Sequence, residues 1–129
     1  MKAFIWTLLA IMGTVSLWAQ PSGIKFTSQN NNDFALTIAD KKVQLVDVRT
    51  AAEYASGHIP GAVNMDVQSR GFENNISQLD KTRPVALYCR SGARSKMAAR
   101  KLAEKGFKVY ELNNGMSGWN GETTKKQIR

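Results

Sequence analysis

Three short apolar runs limit what this chain can fold into more than any other feature: VQLVDV at residues 43–48, PVALYC at 84–89 and KVYEL at 108–112. The first two are apolar almost throughout, which predicts strands covered on both faces, as in a parallel sheet. Segments of helical period separate the runs, so the order strand, helix, strand, helix, strand argues for an α/β domain with a mainly parallel central sheet and helices on both faces. A length of 129 residues holds one such domain and no more.

The smaller elements follow from local signals. IKF at 24–26 is read as a short edge strand, and Asn32 or Asp33 as the N-cap of a helix over DFALTIAD. Thr50-Ala51-Ala52-Glu53 has capping-box spacing and starts a helix ending near Ser56-Gly57. Pro60-Gly61 forces a turn, and residues 62–64 give a further short strand. Phe72, Ile76 and Leu79 recur at helical spacing and imply an irregular helix. A longer helix is predicted over Ser95 to Lys105, with Ala98 and Leu102 inward, Lys96, Arg100 and Lys105 outward, and Gly106 at its end. After Asn113-Asn114-Gly115 a turn leads into a short terminal helix.

The first nineteen residues are a separate unit. Met1-Lys2 precedes the uncharged run AFIWTLLAIMGTVSLWA, which has the basic start, apolar stretch and small final residue of a signal peptide. Cleavage is expected after Ala19, leaving Gln20 first and a periplasmic protein with no stable membrane insertion. The alternative is an uncleaved anchor with Trp18 at the membrane interface. Residues 20–32 are then a polar N-terminal segment, 33–122 the domain, and 123–129 a basic, solvated tail.

Composition narrows the chemistry. Eighteen Lys and Arg against ten Asp and Glu give a formal charge of +8, which favours small anionic ligands. These cations are spread along the chain with no dense cluster and no interleaved aromatic stripe, so nucleic acid is not an expected partner. One Cys and one His exclude multi-cysteine zinc or iron–sulfur centres and any internal disulfide, and neither a metal nor a cofactor is expected.

That single cysteine, Cys89, closes an apolar strand and precedes Arg90-Ser91-Gly92-Ala93-Arg94-Ser95. It therefore lies at the carboxyl edge of the sheet, where α/β domains carry their sites. Gly92 can take positive φ, so successive N–H groups can curl into a nest around the sulfur while the next helix adds its positive end. Arg90 and Arg94 add charge, and all of these lower the thiol pKa. A solvent-accessible thiolate is the expected resting form. The plain alternative is a buried, inert strand-end cysteine beside solvated arginines. The sulfur has no evident base: His58 sits in a Gly-His-Ile-Pro turn that reads as structural, which makes a Cys–His dyad improbable.

LVDVR at 45–49, EY and GHIPGAVN within 53–64, CRSGARS at 89–95 and NNGMSGW at 113–119 together resemble a single-domain rhodanese. The resemblance implies a small α/β domain that moves sulfane sulfur through a cysteine persulfide. Cys89 matches the persulfide-forming residue, and the loop from Arg90 to Arg94 matches the one whose amides cradle it. Asp47, Arg49, Glu53 and His58 match family positions and are read as structural, with Glu53 pairing Arg49 four residues away and Asp47 anchoring neighbouring loops. Asn114-Gly115 departs from the two glycines usual there. Related phosphatases use Cys-x5-Arg; the Cys-x4-Arg spacing here makes a smaller cradle, better suited to sulfur.

The expected reaction is attack by the Cys89 thiolate on the outer sulfur of thiosulfate or a similar small anionic donor, followed by transfer to a thiol or cyanide acceptor. Arg90 and Arg94 would bind the sulfonate end, and the amides from Ser91 to Ser95 would stabilise the persulfide. Rival readings are a noncatalytic persulfide carrier, an exported protein-binding module and, ranked lower, a phosphatase or arsenate reductase.

Overall fold

The computed structural model describes residues 25–127, so the expected signal peptide at 1–19 lies outside the described residues. Among the described residues five strands and four helices alternate: β1 (Thr27–Gln29), α1 (Asn31–Ala39), β2 (Gln44–Asp47), α2 (Ala51–Ala55), β3 (Val63–Asn64), α3 (Phe72–Ile76), β4 (Val85–Tyr88), α4 (Ala93–Glu104) and β5 (Val109–Leu112). A 3-10 turn at Gly115–Gly118 follows. The strands form one sheet in the order β1-β5-β4-β2-β3, and every pairing is parallel. No helix among the described residues is long and apolar enough to cross a membrane.

Strand β4 lies at the centre and is buried along its whole length. Its side chains alternate between two cores, as the period of two requires. Val85, Leu87 and Cys89 join Val46, Val109, Phe72 and Ile76 of α3, and Ala98 and Leu102 of α4 on one face. Ala86 and Tyr88 join Phe34 of α1, Tyr54 of α2 and Leu112 on the other. The expected two-faced α/β architecture is therefore present.

Local chemistry shifts several boundaries. The edge strand lies at Thr27–Gln29 rather than at IKF, because this stretch pairs in register with Tyr110 to Leu112 of β5. Asn30, not Asn32 or Asp33, caps α1: its side-chain oxygen accepts the Asp33 N–H at 2.8 Å. The Thr50–Glu53 capping box forms as expected. Helix α4 begins at Ala93, two residues earlier than Ser95, since Gly92 turns the chain at φ +105 and helical geometry follows at once.

A buried ion pair secures the carboxyl end of β2. Arg49 donates from Nε and Nη2 to the Asp47 carboxylate at 3.0 and 2.7 Å, and its Nη2 also reaches the Gly57 carbonyl at 2.7 Å. Asn64 Nδ2 bonds the Asp47 and Arg49 carbonyls at 3.0 and 2.8 Å, tying β3 to the same corner. His58 is fully buried and stacks on Tyr54 with ring centroids 3.7 Å apart. It also pairs with Thr124 as an antiparallel bridge, and its Nε2 lies 2.9 Å from the Lys126 carbonyl. The tail, expected to be solvated, is exposed at every described position except Thr124, and its backbone is held to His58 as far as Lys126.

Asp47→Ala leaves the Arg49 guanidinium, only 5% exposed, without its carboxylate. Breaking one side of a buried pair costs about 3–5 kcal/mol, so the urea midpoint should fall by that equivalent at unchanged slope. A loss under about 1 kcal/mol would show that the corner is held by its backbone bonds alone.

Candidate active site

Strand β4 delivers Cys89 to the carboxyl edge of the sheet, and the chain must then reverse into α4 within three residues. Gly92 makes this possible. At φ +105 a side chain is strained, and a Cβ there would lie 2.1 Å from the Asn113 carbonyl oxygen. The turn aims the Gly92 N–H at the Cys89 sulfur, 3.0 Å away. The NNGMSGW segment supports the loop from below: Met116 N–H donates to the Cys89 carbonyl, and Ser117 N–H to that of Arg90, both at 2.9 Å. Gly115 permits that contact, since at φ +59 its Cβ would sit 2.5 Å from the Cys89 carbonyl oxygen. Asn114, by contrast, has φ −100, a conformation open to any residue, so the missing second glycine costs nothing.

The sulfur does not lie open to solvent as the sequence suggested. Cys89 is 0% exposed and belongs to the core under α3 and α4. The side chain of a strand-end residue points with Val85 and Leu87 into that core, and the loop closes over it. Burial acts to raise the thiol pKa. The Ser95 hydroxyl and the main-chain groups of Ser95, Gly92 and Ser91 act the other way and prevail, holding it below the ordinary thiol value. The donor nest predicted from the sequence is present, directed at a sheltered sulfur.

The two arginines are not equivalent. Arg94 forms a two-pronged pair with Glu53, Nη1 to Oε1 at 2.8 Å and Nη2 to Oε2 at 3.0 Å. The expected Glu53–Arg49 pair is therefore absent: Arg49 is committed to Asp47, and Glu53 on the first turn of α2 faces α4 instead. Arg90 is 66% exposed and only loosely associated with Glu53, at 3.6 Å. Arg94 is thus held by a carboxylate, while most of the Arg90 side chain stays open to solvent.

Of the other residues expected near the site, Asp47 and Arg49 form the buried corner behind it, and His58 lies on the far core with Tyr54. Ser95 was expected to contribute its amide; it contributes its hydroxyl as well, 3.5 Å from the sulfur. Sequence reasoning passed over Glu111. It is fully buried on β5 beneath the loop, where Oε2 accepts from Ser95 Oγ at 2.6 Å and Oε1 from Ser28 Oγ at 2.5 Å. Lys96, expected to face outward, instead folds back to Glu111 at 3.3 Å. The signal available was a charged residue sharing a strand face with Val109, inside a run that reads as apolar. Among the described residues no group of three or more His, Cys, Asp or Glu could hold a metal.

This geometry can be set beside known proteins. A family model, the rhodanese-like domain, matches residues 30–122. The chain is 40% identical over 80 residues to the thiosulfate sulfurtransferase GlpE of Shewanella oneidensis, covering 61% of this chain and 77% of that protein. It is 41% identical over 78 residues to a sulfurtransferase of Allochromatium vinosum, covering 60% and 71%. Other relatives are longer, and the chain spans only 45% and 40% of two of them. Among solved structures, a rhodanese-like domain protein from Staphylococcus aureus superposes with a TM-score of 0.66 at 28% identity, covering 75% of this chain and 94% of that one. With the matched region running from the cap of α1 past the 3-10 turn, the chain belongs to the rhodanese-like domain family.

Proposed function

We propose that this protein is a sulfurtransferase that carries sulfane sulfur on Cys89. The observation that carries the reading is the Gly92 N–H held 3.0 Å from a thiol whose pKa is lowered despite burial. A sulfur held this way favours the nucleophilic thiolate over an ordinary thiol, and the same amides receive negative charge on a second sulfur attached to it. In the first half-reaction the Cys89 thiolate attacks the outer sulfur of thiosulfate or a similar anion. A sulfur–sulfur bond forms to Cys89, the bond to the sulfonate sulfur breaks, and sulfite leaves with the electron pair. In the second, a thiolate or cyanide takes the outer sulfur and Cys89 returns as thiolate.

Arg90 is the group that meets the donor's sulfonate, and Glu53 sets this assignment by occupying Arg94. A phosphatase or arsenate reductase would need the loop arginine for its oxyanion, and Arg94 is already bound. The carrier reading draws on a different observation, the complete burial of Cys89, which suits storing a persulfide away from water. Residues 1–19 are proposed to direct export to the periplasm, with an uncleaved anchor as the alternative.

Cys89→Ser should abolish thiosulfate-dependent thiocyanate formation and the 32-Da adduct together, since a serine hydroxyl cannot hold the transferred sulfur. Retained turnover would remove Cys89 from the reaction; a stable adduct without turnover in the native protein would make it a carrier. Glu53 gives a pH test. Arg94 holds the Glu53 carboxyl at about 2, so its stabilising contribution is complete above the usual carboxylate range and disappears as the pH falls toward 2. Glu53→Gln should therefore lose about 1 kcal/mol at neutral pH in urea unfolding, and the two proteins should converge in acid. A gap that persists in acid would mean that another contact is involved. For the location, N-terminal sequencing of the protein from cell fractions should find Gln20 first in the periplasmic fraction; a soluble cytoplasmic chain starting at Met1 would overturn export.

A further inference from the structure

Cations that are spread along the sequence are gathered in space. Every strand is parallel to its neighbours, so the chain enters all of them at one edge of the sheet, opposite the edge that carries Cys89. Most of those entries are basic: Lys25 precedes β1, Lys41-Lys42 precede β2, Lys81 and Arg83 precede β4, and Lys108 precedes β5. Only β3, entered through Pro60-Gly61, has no cation there.

Hydrogen bonds and ring contacts join these entries into one platform. Arg83 Nε donates to the Lys42 carbonyl at 2.8 Å, and Gln44 Nε2 donates to the Asp80 and Arg83 carbonyls at 2.8 and 3.1 Å, which ties the entry of β2 to that of β4. The Val85 N–H donates to the Lys108 carbonyl at 2.9 Å, and Lys81 Nζ lies 5.9 Å from the Phe107 ring centre, which ties β4 to β5. Parallel register, with Thr27 beside Tyr110, sets the entry of β1 next to that of β5. Lys25, Lys41, Lys42, Lys81 and Lys108 are exposed and Arg83 is half-buried. Among the described residues none of these six is ion-paired, whereas at the Cys89 edge Arg49, Arg94 and Lys96 are held by Asp47, Glu53 and Glu111. The acids beside the platform are Asp40, Asp80 and Glu104, and the first two are turned to the N–H groups of Lys42 and Thr82. Lys105, at the end of α4, is taken by Glu73 at 3.0 Å.

We propose that this edge docks on an anionic bilayer surface and leaves the Cys89 loop facing away from it. Two observations favour a bilayer over other polyanions. The uncharged run at 3–19 is the part of this chain suited to enter a membrane, and only residues 20–24 separate it from Lys25, a stretch that spans at most about 18 Å. Wherever that run meets a membrane, the basic edge is brought to the headgroups. The cations are also mostly lysines, hydrated point charges suited to a diffuse headgroup layer, and the donors of Arg83 are spent on main-chain carbonyls. Phe107 is buried and Tyr110 half-buried, so the platform offers no aromatic face on which a base could stack. The proposal does not require sulfur transfer, and it draws on the apolar run only for the choice of a bilayer.

The test is co-sedimentation with vesicles of phosphatidylcholine, alone or mixed with phosphatidylglycerol. The chain from Gln20 is used, because it keeps the whole sheet and both cores while lacking the apolar run, which could bind vesicles by itself. Binding should require phosphatidylglycerol and disappear at high salt. Lys42→Gln combined with Lys108→Gln should weaken partition roughly thirtyfold at low salt, whereas Arg70→Gln combined with Arg90→Gln, which takes the same charge from the opposite edge, should change it less than about threefold. Equal losses from the two pairs would make the attraction a property of net charge and overturn the platform. Binding to phosphatidylcholine alone, or none to either vesicle, would overturn it as well. Retention on duplex DNA at a salt concentration where vesicles are not bound would assign the face to nucleic acid, again against the proposal. Neither a lack of thiosulfate turnover nor the site of N-terminal cleavage alters these outcomes, so the docking face and the proposed activity fail separately.

Discussion

The conformation of Gly92 is the constraint on which the rest of the site depends. A chain leaving the central strand must turn into a helix almost immediately, and only a left-handed residue directs the intervening N–H back at the strand's last side chain. The space for that turn is set by β5, since the Asn113 carbonyl occupies the position a Cβ would need. The loop is thus shaped jointly by its own sequence and by the neighbouring strand of a parallel sheet. The 3-10 turn completes the arrangement by bonding the first two carbonyls of the loop, which it reaches because Gly115 has no side chain to hold it off.

Burial and reactivity usually oppose each other at a cysteine, and here they are reconciled by dipoles. Removing a thiolate from water costs several kcal/mol, while each hydrogen bond to a charged group returns about 1.5–3 kcal/mol. Two or three such donors around one sulfur are enough to tip the balance, which agrees with the lowered Cys89 pKa. The donors are the buried Ser95 hydroxyl and main-chain groups held by the sheet and by α4, so they need little reorganisation when charge appears. A site built only from the two loop arginines would lack this property, because long side chains lose entropy when ordered.

What the sequence revealed and what it hid follow from the range of the signals. The three strand runs, the Thr50 capping box, the Gly92 turn and the placing of Cys89 at a strand end are local patterns, and each was legible. Glu53 was misassigned to Arg49 because spacing along a helix is the only pairing rule a sequence displays, whereas its true partner Arg94 lies 41 positions away. Lys96 was placed in solvent by helical period, which carries no information about an anion on the next strand. Glu111 itself was hidden inside an apolar run, and its role emerges only when β5 is set against α4. The docking of the tail on His58 is likewise a long-range pairing with no local mark. The sulfur's shelter was missed for a related reason: a strand end reads as an edge, yet side-chain alternation turns Cys89 inward with Leu87.

These long-range contacts also explain how one basic loop divides its work. If Arg94 were free, its guanidinium could take up a small anion close to the sulfur. Glu53 occupies the Arg94 donors at every pH where its carboxylate persists, well into acid. In the proposed reaction, attraction of the donor then falls to Arg90 at the rim and to the overall positive charge of the chain, which act at a distance and are screened by salt. In that reaction, stabilisation of the Cys89 sulfur falls to the Ser95 hydroxyl and the amides, which act at contact and are shielded from salt by burial. Under the proposed reaction, separating capture from chemistry lets product leave the rim without disturbing the dipoles that act on Cys89.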